Sequence, residues 1–185
     1  MSFAIDLSPL RKYRDFRNLW LASLITNFGS MITYVAVPFQ IKVLTDSYIA
    51  VGMIGLVEIL PLVIFGLYGG VLADYVDRKK MVWAMEAANL VFVAALLINS
   101  FLPNPNLILI YIVTGLFAAT NGLQRPSADA ILPRLVRHED LPSAAALMSL
   151  RWQVGVILGP SIGGIIISTI SISAGFIFDM ATFLV

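Results

Sequence analysis

Long apolar stretches separated by short polar connections organise this chain. Six stretches stand out, at 19–41, 51–72, 81–101, 107–123, 144–170 and 174–185. A helix needs about 20 mostly apolar residues to cross a hydrocarbon core about 30 Å thick. The first five are long enough. The sixth stops after 12 residues, inside the apolar pattern, at Val185, which reads as a piece of a longer protein. The pattern predicts an all-α integral membrane protein with six transmembrane helices behind a polar tail at 1–18. The first stretch is too long and too far from Met1 for a cleavable signal.

Composition sharpens that reading. The chain has 185 residues, 59% hydrophobic and 12% charged, with mean hydropathy +0.89. A soluble domain carries about 25% charged residues, so a water-soluble enzyme and a disordered segment are poor fits. A net charge of +1 offers no basic footprint for nucleic acid. With no cysteine and one histidine, His138 in a polar loop, no thiolate or multi-histidine metal centre can form. No cofactor is expected. Charge also orients the chain. Of 12 lysines and arginines, 11 fall in the tail, the 73–80 loop and the 124–151 region, and only Lys42 lies on the other side. The positive-inside rule then puts the N-terminus in the cytoplasm of a multi-pass plasma-membrane protein.

Two motifs carry more than hydropathy. The first is the tight loop from Gly70 to Lys80, with Asp74 where the second span leaves the bilayer, followed by Arg78, Lys79 and Lys80. A carboxylate there can accept hydrogen bonds from a helix N-terminus, and arginine can hold a carboxylate bidentately. Gly66, Gly69, Gly70 and Ala73 leave a small-residue surface for another helix. The second is Gly155, Gly159, Pro160, Gly163 and Gly164 in the fifth span. Glycines every four residues form a stripe without side chains. It suits close helix packing, and Pro160 removes a backbone donor.

The first motif resembles the signature loop of the major facilitator superfamily, matching at Gly70, Leu72, Asp74, Arg78, Lys79 and Lys80, with Tyr75 and Asp77 as departures. Residues 14–20, 44–47 with Val51 and Gly52, and Arg125 and Pro126 with 131–136 resemble the branch that holds the enterobactin exporter and the macrolide-efflux proteins. The glycine-proline stripe resembles the motif of drug/proton antiporters. The resemblance covers the whole chain. It implies the N-terminal half of a twelve-helix transporter, built as two inverted three-helix repeats, in a bacterial inner membrane. It implies contact of Asp74 with the missing C-terminal half and pairing of Arg78 with an acid at the inner end of the fourth span, here Asp129. The implied activity is export of amphipathic small molecules, such as drugs or siderophores, by alternating access. Its partners would be substrate, protons and lipid. An uncoupled facilitator or a lipid or lysophospholipid flippase is the alternative. A membrane scaffold or enzyme has no nucleophile–base pair behind it.

Acids within apolar spans are costly and are functional candidates by default. There are three, Glu58, Glu86 and Asp179, each a candidate for substrate or proton binding or for pairing with a neighbouring helix. Glu58 shares a helix face with Leu62, Phe65 and Gly69 and is expected to face a cavity or another helix. Asn27, near the middle of the first span, is a candidate for the cavity or for interhelical hydrogen bonding, and Gln40, Asn89 and Asn121 add further polar groups. Residues 107–123 contain no basic side chain.

Overall fold

The computed structural model describes residues 6–129 and 131–183; the side chains at 71, 73, 74, 78, 79 and 125–129 lie outside that description. A short helix, α1 (Ser8–Lys12), leads into α2 (Arg14–Thr45), α3 (Tyr48–Tyr75), α4 (Arg78–Ser100) and α5 (Leu107–Asp129). After these come α6 (Leu132–Leu135), a 3-10 turn at His138–Asp140, α7 (Leu141–Thr169) and α8 (Ile172–Thr182). No strand occurs among the described residues. Five helices, α2, α3, α4, α5 and α7, are long and apolar enough to cross a membrane, and α8 is a shorter apolar helix.

The helices run past most ends of the apolar stretches because polar caps, not hydropathy, start and stop them. The Ser47 hydroxyl accepts from Ala50 N at 3.3 Å and opens α3. Asp77, where the resembled loop has glycine, accepts from Lys80 N at 3.3 Å at the start of α4. Asn106 accepts from Ile108 N and Leu109 N at 2.9 and 3.2 Å at the start of α5. Each such cap satisfies donors that have no partner inside the helix. Asp46, left-handed at φ 49°, ends α2. Pro38, Pro61 and Pro160 lie inside continuous helices. Membrane helices tolerate this because neighbouring helices and local adjustments satisfy the freed carbonyls.

The packing has an internal symmetry. The most extensive contacts are α3 with α5, α2 with α7, α2 with α8, α4 with α5, and α4 with α8. Exchanging the triplet α2, α3, α4 for the triplet α5, α7, α8 maps this set onto itself. The first triplet consists of three membrane-length helices, an odd number, so the second triplet starts from the opposite side to the first. The contact pattern thus has the form expected of two inverted three-helix repeats.

Two apolar clusters hold the bundle. The larger joins Ala36, Ile41, Val93, Leu96, Ile110, Val113, Ile167 and Phe176 across five of these helices. The smaller lies at one end, where Phe16 is fully buried against Val136, Ala144 and Leu147. The segment read from sequence as a polar tail is therefore partly helical and docked. Tyr13 Oη donates to Asp140 at 2.8 Å, Lys12 Nζ to the same oxygen at 3.0 Å, and Trp20 Nε1 to Leu147 O at 2.9 Å. The Tyr13 hydroxyl and then the Lys12 ammonium hold Asp140 below the usual carboxylate range, and Asp140 in turn raises Lys12.

Candidate functional site

The three acids of the spans have different surroundings. Glu86 on α4 is partly buried and accepts from Gln124 Nε2 of α5 at 2.6 Å. One turn on, Asn89 accepts from the Thr120 hydroxyl at 2.7 Å. Glu86 and Asn89 are three residues apart and Thr120 and Gln124 four apart, so each pair lies on one helix face and the two faces meet as a polar ladder. Asp179 on α8 is fully buried. Its Oδ2 accepts from the Thr33 hydroxyl of α2, and the Thr182 hydroxyl donates to the Asp179 carbonyl at 2.6 Å. Gly29 of α2 lies over this carboxyl so closely that a Cβ there would stand 2.6 Å from Oδ1.

Glu58 differs from both. It is half-buried on α3 and has no hydrogen-bond or ion-pair partner among the described residues. Its helix lies almost backbone to backbone on α5. A Cβ on Gly122 would meet Gly66 N at 2.8 Å, and one on Gly69 would meet Gly122 O at 2.8 Å. Of the Glu58 face, Gly69 is therefore in the α3–α5 seam, while Leu62 and Phe65 remain partly open. Gly66 and Gly70 have open space where a Cβ would stand. The arrangement leaves Glu58 without a partner among the described residues, with a small-residue surface farther along the same helix.

The glycine stripe of α7 is a seam with α2. A Cβ on Gly155 would overlap the Asn27 amide, one on Gly159 would overlap Met31, and one on Gly163 would lie 3.1 Å from Ile32 Cα. Gly164 faces open space. Asn27 accordingly points into this seam, where the bare α7 backbone admits its amide. Its Nδ2 has no partner among the described residues. The side chains of Asp74, Arg78, Lys79 and Asp129 lie outside the described residues. The backbone places Asp74 in the last turn of α3, Arg78 and Lys79 in the first turn of α4, and Asp129 at the end of α5. No cluster of metal-ligating side chains occurs among the described residues.

Sequence reasoning missed the partners, Thr33, Thr120 and Gln124. The i, i+4 spacing of Thr120 and Gln124 was the available signal, since it puts two hydrogen-bonding groups on one face of an apolar helix. It also missed Asn99, which is buried and closes the α4–α5 turn by accepting from Asn106 N at 2.8 Å.

Comparison with known proteins bears on the same geometry. The family described as transmembrane secretion effector (MFS_3) matches residues 4–185. The enterobactin exporter EntS of Shigella boydii serotype 18 is 33% identical over 171 residues, covering 91% of this chain and 40% of the relative. The enterobactin exporters EntS of Escherichia coli O127:H6, at 32% identity, and of Salmonella choleraesuis, at 33%, align over the same share of this chain. The chain thus spans about two fifths of the length of these curated relatives. No solved structure matches it. A family match from residue 4 to residue 185, on an all-helical chain with five membrane-length helices, leaves one assignment: the chain belongs to the transmembrane secretion effector family of the major facilitator superfamily, multi-pass membrane transporters and not enzymes.

Proposed function

We propose that this chain forms the N-terminal half of an exporter of amphipathic small molecules, of the class of the enterobactin named in its relatives. Export proceeds by alternating access between this half and a C-terminal half, in a bacterial inner membrane with the N-terminus cytoplasmic, and is driven by protons. The observation that carries the coupling is Glu58. Among the three acids of the spans it alone lacks a partner among the described residues, whereas Glu86 and Asp179 are engaged between helices. A half-buried acid without a counter-ion can take up and release a proton, or hold a cationic group, as its exposure changes. In the same reading Asp74, Arg78, Lys79 and Asp129 form the inner gate, and the Gly155–Gly163 stripe lets α2 and α7 slide without side-chain interlock.

Everted membrane vesicles bearing the full-length protein test this. Uptake of a catecholate siderophore should rise when the lumen is made acidic and fall to background with a protonophore. Uptake indifferent to the gradient would make the protein a facilitator. Translocation of a labelled lysophospholipid without siderophore movement would make it a flippase.

A further inference from the structure

Two buried hydrogen bonds stand in matching places in the two repeats. Asn89, on the third span of the first triplet, accepts from Thr120, on the first span of the second. Asp179, on the third span of the second triplet, accepts from Thr33, on the first span of the first. The exchange that maps the helix packing onto itself maps one pair onto the other. All four side chains are buried.

The pairs differ in one respect. Asn89 is neutral by composition, whereas Asp179 can ionise. Asp179 has no solvent exposure, and no cation bonds to it among the described residues. Gly29 and Thr33 face it from α2, and Thr182 from its own helix. Of the helices packed against α8, α4 carries the acid Glu86 and α7 the one charged residue Arg151. A carboxylate without a counter-ion in such a place is far costlier than a neutral carboxyl.

We propose that Asp179 permanently carries a proton, and that Asp179–Thr33 and Asn89–Thr120 are matched neutral joints, each fastening the third span of one repeat to the first span of the other. Asp179 is then a positioning residue outside the coupling step. This rests on the packing of the described helices and not on the exporter reading.

Infrared difference spectra and thermal melts of the full-length protein in nanodiscs test it. The wild type should show the carbonyl stretch of a protonated carboxyl that D179N removes. That band should persist through the neutral pH range and under substrate. D179N should keep the wild-type melting midpoint and export rate. D179L, which has no hydrogen-bonding group, should lower the midpoint. N89D should fold and add a second protonated-carboxyl band, because the matched site should protonate an acid in the same way. Absence of the Asp179 band, its loss on changing pH or adding substrate, or a D179N protein that fails to fold would overturn the proposal. A folded D179N protein without gradient-driven export would overturn it too, making Asp179 a coupling acid.

Discussion

Alanine at Gly159 and alanine at Gly164 make the same chemical change five residues apart on one helix. Both gain the intrinsic helix preference of alanine over glycine, about 1 kcal/mol. They differ in what the new methyl meets. At Gly159 it overlaps the Met31 side chain at its root and comes within 3.1 Å of Cγ, so α2 and α7 must separate. At Gly164 it meets open space. Overpacking of this kind costs about 1–3 kcal/mol. Subtracting the shared gain, Gly159→Ala should fall between neutral and about 2 kcal/mol destabilising, while Gly164→Ala should be up to about 1 kcal/mol stabilising. The difference between the two, about 1–3 kcal/mol, is free of the propensity term. Equilibrium unfolding of the purified protein in mixed micelles measures it. Equal effects at the two positions would refute the assignment of the stripe to the α2–α7 seam.

Three further outcomes follow from the same structure. Asn99→Ala removes the side-chain acceptor of Asn106 N in the exposed α4–α5 turn and should destabilise by about 0.5–1.5 kcal/mol in the same unfolding assay. The docked N-terminal segment should be held between two pH limits. Asp140 titrates below its ordinary value when folded, so its contribution is present above the carboxylate range and lost as pH falls through the lowered value. Lys12 is raised, so its share is present at lower pH and lost as pH rises through the raised value. A spin label at Arg11 should become mobile at both limits, and Asp140→Asn should leave it mobile throughout. Cysteines at Asp46 and Asn104 should react with an impermeant reagent outside intact cells, and cysteines at Asp77 and His138 only after permeabilisation; the reverse pattern would invert the orientation.

The bundle was legible from hydropathy because in lipid a backbone must satisfy its own hydrogen bonds, so a long apolar stretch has one stable form. Helix ends were less legible. Ser47, Asp77 and Asn106 are polar and read as loop, yet each caps a helix that begins beside it. The 1–18 segment misled in the opposite sense. Its charges mark a polar tail, yet within it Phe16 is an anchor whose pocket is built by Val136, Ala144 and Leu147, more than a hundred residues later. The acids themselves were visible in the sequence, since a carboxylate stands out in an apolar stretch. Their partners were not, because Thr33, Thr120 and Gln124 are common residues whose role depends on which helices touch. Asn27 shows the same limit, as only the bare Gly155 backbone opposite it decides that it points into a seam.

The role given to Glu58 bears most directly on the account. Full-length protein in proteoliposomes, wild type and Glu58→Gln, should be compared for siderophore transport under an imposed pH gradient, with membrane insertion and melting midpoint checked in parallel. Gln keeps the shape and a hydrogen-bonding group but cannot ionise. Glu58→Gln should insert and melt like wild type yet lose gradient-driven transport, with Glu58→Asp retaining part of it. Near-normal transport by Glu58→Gln across the pH range where the wild type is gradient-dependent would contradict it.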